Sequence, residues 1–585
     1  MGDPRTPGAA APDPRLARFF APDGPLARRV AGFGLRPQQL EMAGAILHAI
    51  ENSETLVAEA GTGIGKTFAY LVPAFLAGGK VIVSTGTKNL QDQLFERDVP
   101  TVREALATGA TAALLKGRAN YVCLHRLERA GGEARLATRE AAAQLHRIER
   151  FAAMTRSGDR AELAEVPEDA PVWTYATSTR DNCLGQSCSR YRDCFVMRAR
   201  KNALEADVVV VNHHLFFADV VLRDEGVAEL LPACNTVIFD EAHQLPDTAR
   251  LFFSETLSSG QLLDLARDAR AELRAAGGAS PELETQAARL EKAARELRLV
   301  FEAEAARMAW SQACRRPAFE GALGALDGAL GRLARSLEAQ AERAEGLAAC
   351  ARRAREAGAR IERLRGGAEA TQVRWVEVFS QTVQLHLTPL SAAAPFQRQL
   401  EGSPRAWIFT SATLAVGEDF GHFARELGLE RVRSACWPSP FDYARQARLY
   451  VPRGLPDDPN DPRYTDAVVE AALPVLAASQ GRAFLLFTSL RALRRAHERL
   501  QDAALEHPLL VQGTGSRSEL LRRFRALGNA VLLGSQSFWE GVDVRGEALS
   551  LVIIDKLPFA PPDDPVLAAR IDALRTMNEN AFARL

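Results

Sequence analysis

Glu59-Ala60-Gly61-Thr62-Gly63-Ile64-Gly65-Lys66-Thr67 follows a short apolar run, Thr55–Ala60, and opens a helical one, Lys66–Leu76. A strand that ends in a glycine-rich turn and re-enters as a helix aims several main-chain N–H groups at one point, where a phosphate can sit. The stretch fits the Walker A pattern with Ala60 in place of the first glycine. Gly61, Thr62, Gly63 and Gly65 form the cradle, Lys66 reaches the β- and γ-phosphates, and the Thr67 hydroxyl is placed to hold Mg²⁺. Working outward, Lys80–Ser84 reads as a strand and Lys88–Phe95 as a helix. Such alternation predicts an α/β fold with a parallel sheet. The pattern pauses after about Lys116 and resumes with two more short strands, Asp207–Val211 and Thr236–Phe239.

The second of these runs into Val237-Ile238-Phe239-Asp240-Glu241-Ala242-His243. An apolar strand ending in Asp240 presents a carboxylate where Mg²⁺ can be held. Glu241 is then positioned to accept a proton from attacking water, so the expected reaction is hydrolysis of a nucleoside triphosphate. An Asp-Glu pair after a strand is commonplace alone. Its meaning comes from the Walker loop on the same inferred sheet.

The rest of the chain sets the frame. Its 585 residues carry a net charge of −1, with 47% hydrophobic and 25% charged residues. That is ordinary globular usage, long enough for about three to five domains. No run approaches a membrane span, and the Pro/Ala-rich N-terminus has no signal-like apolar core, so a cytoplasmic protein is expected. Near-neutral charge requires any nucleic-acid track to be local. There are only seven lysines against 65 arginines, and four of them (Lys66, Lys88, Lys116 and Lys556) fall inside the motifs described here.

Residues 255–370 are dominated by Ala, Leu, Glu and Arg, and strand signals vanish. Leu323, Leu326, Leu330, Leu333 and Leu337, continued by Leu347, mark an amphipathic helix in an antiparallel helical insertion. Strands return at Val373–Val378 and Ala406–Phe409. A second α/β block runs from about Ala447, with strands at Ala483–Phe487, Ala530–Leu533 and Leu549–Ile554.

Cys123, Cys183, Cys188 and Cys194 are spaced C-x59-C-x4-C-x5-C. Four thiolates can hold a [4Fe–4S] cluster. Zinc sites pair cysteines more tightly, so the remote first ligand and the x5 gap fit zinc less well. Spacing alone leaves cluster, zinc and unliganded thiols open. Cys234, Cys314, Cys350 and Cys436 are isolated and read as buried small apolar residues. His213-His214 lacks a nearby acid or third ligand and reads as loop structure rather than metal.

Asp240-Glu241-Ala242-His243 is the DEAH signature, and with it the chain resembles superfamily-2 helicases. Gln39 in Arg36–Met42 looks like the glutamine that reads adenine in that family. Ser84–Leu94 resembles motif Ia, Phe409–Leu414 motif III, Phe487–Ser489 motif IV and Gln536–Asp543 motif V. Lys116–Cys123, the later cysteines, Val211–Leu215 and Asp555–Phe559 resemble the DinG/YoaA branch of the XPD-like iron–sulfur helicases. The resemblance implies ATP-dependent, 5′-to-3′ unwinding of DNA in repair or replication by two RecA-like motors. It implies ATP, Mg²⁺ and a [4Fe–4S] cluster on Cys123, Cys183, Cys188 and Cys194. Lys66, Asp240, Glu241 and His243 become the catalytic residues. Thr85, Thr87, Asn212, Thr488 and Ser537 become the DNA-contact candidates, on a monomer that takes single-stranded and forked DNA.

The expected organisation is a disordered tail (1–15), a first motor in three parts (16–117, 201–254 and 396–445), a cluster domain (118–200), a helical Arch insertion (255–395) and a second motor (446–585). A family-type Gln-x-x-Gly-Arg-x-x-Arg motif VI is not found before the chain ends at Leu585. Truncation before motif VI, with impaired turnover, is therefore an expectation. The alternatives are a non-unwinding ATP-binding, single-stranded-DNA-binding fragment with weak ATPase, and an RNA helicase, for which the cysteine set has no reason.

Overall fold

Thr55–Ala60 forms the strand that its apolar run predicts, and the glycine turn delivers the chain into the helix Lys66–Ala77. The computed structural model describes residues 13–132, 138–168, 170–224, 230–302, 306–367, 369–400, 404–515, 517–535, 538–539, 542, 544, 546–559 and 563–577. The chain divides into two units. The first holds the described parts of 13–159, 174–440 and 563–577, and the second those of 160–173 and 441–559.

The first unit is built on a seven-stranded sheet in which every neighbouring pair is parallel. Its spatial order is Arg433–Trp437, Thr55–Ala60, Ala406–Ser411, Thr236–Asp240, Val81–Thr85, Val208–Asn212 and Ala112–Leu114. Successive side chains alternate between two cores. Leu56, Ala58, Val83, Val210 and Ile238 pack on one face, and Val57, Ile82, Val209, Val237 and Phe239 on the other. Burial on both faces is why these strands read as continuous apolar runs. The strand Ala406–Ser411 lies between those that end in the Walker turn and in Asp240. Sequence order does not reveal that placement.

The insertion that follows Ser254 is not purely helical. Glu255–Ser258, Val383–Pro389, Gln372–Val378 and Ala306–Ala309 form an antiparallel sheet. The first and last of these strands, four residues each, bury a single apolar side chain apiece, Leu257 and Met308. That is too little for a period of two to register. The five leucines from Leu323 to Leu337 are fully buried on the helix Phe319–Glu338, which packs on Pro281–Leu299 and Glu345–Gly366. Leu347 does not continue that seam. A short turn, Ala341–Arg343, breaks the helix first, and Leu347 belongs to the next one.

The second unit carries a four-stranded parallel sheet ordered Leu509–Val511, Val531–Gly534, Ala483–Leu486 and Leu551–Ile554. Val552 and Ile554 are exposed on its edge strand. The helix Pro565–Thr576 lies in the first unit, where Arg570 pairs with Glu426 at 2.6 Å and Asp564 with Arg307 at 3.3 Å. No helix among the described residues is long and apolar enough to cross a membrane.

Candidate functional site

In parallel sheets, ligands gather beyond the carboxyl ends of the strands. The Walker turn leaves one such end. Gly65, the residue before the helix, has φ 88°, a left-handed conformation that a side chain would strain. A Cβ there would also collide with the Gln39 amide, which donates from Nε2 to the Gly65 carbonyl at 2.9 Å. Gln39 is 1% exposed, and its Oε1 is buried without a hydrogen-bond partner. An acceptor held against the phosphate loop in this way can take an exocyclic amine. On the other flank, Ser439 Oγ donates to the Thr62 carbonyl at 2.6 Å.

Two strands away, Asp240 ends the strand Thr236–Asp240 and Glu241 follows it. Lys66 Nζ lies 3.5 Å from Glu241 Oε1, so the Walker lysine and the DEAH acid share one site. Asp240 receives the Tyr70 hydroxyl at 3.2 Å and the Glu241 N–H at 3.1 Å. Burial, reinforced by the Glu241 charge, raises its pKa to about 7. A bound divalent cation would favour the ionised form. Burial also works against the Glu241 carboxylate, but the His243 hydrogen bond and the Lys66 charge outweigh it and hold its pKa to about 2. Glu241 has φ 54°. A non-glycine residue in that region is uncommon and marks a position that its surroundings over-determine.

The intervening strand supplies the support. His243 Nδ1 lies 2.8 Å from Ser411 Oγ, and Ser411 donates to Glu241 Oε2 at 3.4 Å. Glu59 accepts from the main-chain N–H groups of Leu414 and Ala415 at 2.5 and 2.7 Å, fastening the turn after Ser411 to the Walker strand. Sequence reading did not single out Glu59 or Tyr70. Each is an ordinary strand or helix residue locally, and only strand order gives it a partner.

The remaining candidates divide. Thr85 is fully buried and donates to the Thr87 carbonyl, so only its main chain can face a strand. Thr87 Oγ1 caps the helix Lys88–Gln93, and Asn212 Oδ1 accepts from the Leu215 N–H at 2.8 Å. In the second unit, Asp555 Oδ1 accepts from the N–H groups of Thr488 and Lys556, tying two parallel strand ends together. Ser537, with Gln536, Glu540, Gly541 and Asp543, lies outside the described residues. His213 opens the helix His213–Asp224 rather than lying in a loop, and burial pushes its pKa down to about 3.

Cys123, Cys183, Cys188 and Cys194 are all unpaired and partly buried. Burial raises the Cys123 and Cys188 thiols, and the charges of Cys183 and Cys194 push both the same way. Arg200 is drawn toward its charged form by Cys183 and Cys194, although burial and then Arg118 lower its pKa overall. Thiols that face one another, with the Arg200 guanidinium beside Cys183 and Cys194, suit an anionic centre. Among the described residues, no three His, Cys, Asp or Glu side chains close around a point where a single metal ion could be held. Of the other cysteines, Cys350 is buried as expected, whereas Cys314 and Cys436 are exposed, so small-apolar packing does not explain those two.

A family model described as DEAD/DEAH box helicase matches residues 36–141, and one described as helicase C-terminal domain matches 472–585. The chain is 44% identical over 566 residues to the ATP-dependent DNA helicase YoaA of Escherichia coli (strain K12), covering 96% of this chain and 88% of that protein. It is 33% identical over 606 residues to the ATP-dependent helicase DinG of Mycobacterium tuberculosis (strain ATCC 25618 / H37Rv), covering 95% and 87%. The solved structure of S. tokodaii Xpd4 matches with a TM-score of 0.51 at 12% identity, over 94% of this chain and 89% of that one, a likeness of fold. With such identity over nearly the full length of both chains, the protein belongs to the YoaA/DinG family of helicases.

Proposed function

We propose that the protein is an ATP-dependent DNA helicase acting in repair or replication. The observation that carries this reading is the 3.5 Å approach of Lys66 to Glu241 beside Asp240. Main-chain N–H groups of the Walker turn and Lys66 bind the phosphates, and Gln39 Oε1 takes the adenine amine. Thr67 and Asp240 would hold Mg²⁺, which when bound neutralises phosphate charge. Glu241 is kept ionised by His243 and Lys66, and so accepts the proton of the attacking water. Ser411 and His243 orient that carboxylate.

Cys123, Cys183, Cys188 and Cys194 would hold a [4Fe–4S] cluster. The chemistry of the donors fits, because thiolates grasp such a cluster from its outside and need not converge on one point. Arg200, which faces Cys183 and Cys194, would offset its negative charge. Strand contacts come from Thr87, Asn212 and Thr488 and from the main chain of Thr85, which read backbone rather than base. The domain limits drawn from the sequence, with the cluster segment at 118–200 and the insertion at 255–395, belong to this reading.

The test is anaerobic purification with iron, sulfide and absorbance measurements, then ATPase with single-stranded DNA or RNA. Strand displacement on 5′- and 3′-tailed forks follows, with Lys66→Ala as control. DNA-stimulated turnover and displacement from the 5′-tailed fork are expected. ATP and DNA binding without displacement would leave a non-unwinding binder, and equal stimulation by RNA would remove the DNA assignment.

A further inference from the structure

The turn 85–87 and the DEAH turn meet at two places that the hydrolysis chemistry does not use. Ser84 pairs in register with Val211 on one side and Phe239 on the other. It therefore sits between the strand that ends at Asn212 and the strand that ends at Asp240. Its side chain is fully buried, so it cannot touch a polynucleotide itself. His213, the first residue after Asn212, turns its ring back into the sheet. Nδ1 lies 2.7 Å from Ser84 Oγ, and the ring stands 6.0 Å from that of Phe239. Burial drives the imidazole toward its neutral form against the pull of the Glu241 and Asp240 main-chain carbonyls, and Nε2 is sealed from solvent and completes no hydrogen bond. A buried nitrogen left one short step from an acceptor is costly unless another state satisfies it. The second meeting point is Gly86, where any Cβ would run into the Gln244 side-chain amide. Gln244 directly follows His243 and precedes the helix Leu245–Phe252.

We propose that Ser84, His213 and Gln244 are positioning residues that couple occupancy of the turn 85–87 to the setting of the Glu241 carboxylate. When a strand engages that turn, Ser84 carries the His213 ring with it and Nε2–H closes onto the Glu241 main chain. Gln244, lying over Gly86, moves the other end of the DEAH turn. Both contacts lie in the first unit, and a neutral imidazole suits the task because it accepts from Ser84 at one nitrogen and donates from the other. The proposal rests on the reading above, that ATP and single-stranded DNA bind one motor.

Coupling between two ligands is reciprocal and can be read without turnover. The full-length protein is titrated with a fluorescent non-hydrolysable ATP analogue, with and without saturating oligo-dT. The wild type is expected to bind the analogue at least about fivefold more tightly with DNA present. In Ser84→Ala and in Gln244→Ala that factor should fall below about twofold, while each ligand's affinity measured alone stays within about twofold of wild type. Ser84→Thr, which keeps the hydroxyl, should restore it. Unchanged coupling in both variants overturns the relay. So does failure of Ser84→Thr to rescue, and so does a coupling loss accompanied by a lowered melting temperature or weaker separate affinities. A wild type that binds both ligands with a factor of one also overturns the relay. A wild type that fails to bind the analogue or the oligo-dT is a different failure, which removes the ATP-and-DNA reading itself.

Discussion

Lys116 Nζ stands 2.7 Å from Asp159 Oδ2, with only 4% of the lysine side chain exposed. The same ammonium lies 2.6 Å from Asp92 on the helix Lys88–Gln93. Asp159 bridges to Tyr121, whose hydroxyl accepts the Lys116 N–H at 3.0 Å, and Cys123 follows two residues later. One cation thus fastens the helix after the turn 85–87 to the segment that brings in the first cysteine.

Removing that cation leaves two carboxylates facing each other in a site that already raises the Asp92 pKa by burial. Breaking a buried pair from one side costs about 3–5 kcal/mol. Lys116→Met should lower the melting temperature and the iron content of the anaerobically purified protein. Adding Asp159→Asn should recover part of both. Iron content equal to wild type in Lys116→Met would show that the tie does not hold the cysteine segment.

Glu241→Gln keeps the shape of the side chain but cannot accept a proton. Its kcat for ATP should fall by about 10²–10⁴-fold with nucleotide affinity little changed. Lys66→Ala should instead weaken nucleotide binding. Steady-state ATPase paired with equilibrium titration separates the two.

Gln39→Ala removes both the brace on Gly65 and the buried Oε1. A lost hydrogen bond of this kind is worth about 1 kcal/mol, and leaving a partner unsatisfied adds about 1–3 kcal/mol. ATP affinity should drop about tenfold or more, and preference for ATP over GTP should narrow. Competition titration with the two nucleotides reads both effects.

His386 stacks on Trp375 with ring centroids 3.9 Å apart and bonds through Nδ1 to Thr256. Burial, then Arg307, pushes its pKa down to about 4, while the nearby Glu377 is engaged by Arg307. The folded imidazole stays neutral where an unfolded one, with a pKa near 6.5, takes up a proton. The unfolded state therefore binds more protons in this window. Stability contributed here is present above about pH 6.5 and is lost as pH falls toward 4, by at most about 3 kcal/mol. Melting curves between pH 7 and 4.5 should be flatter for His386→Phe, which keeps the stack without the titration.

Sequence alone determined the parallel α/β class, the strand Thr55–Ala60, the strands read as Thr236–Phe239 and Ala483–Phe487 to within one residue, and the pairing of Walker loop with DEAH acid. Apolar runs, glycine turns and helix starts are set by neighbours within a few residues, so they survive in a one-dimensional reading. The leucines of Phe319–Glu338 were legible for the same reason, whereas Leu347 kept the spacing by coincidence across the turn that ends that helix. Tertiary structure alone decided that Ala406–Ser411 lies between the strands that end in the Walker turn and in Asp240, which gives Glu59, Tyr70 and Ser411 their partners. It also decided the small sheet inside the insertion, the lodging of Pro565–Thr576 in the first unit, and the meeting of Lys116 with Asp92 and Asp159. Those outcomes depend on which distant strands close against each other and which charges end up sharing one buried space, and neither property is carried by any local stretch of residues.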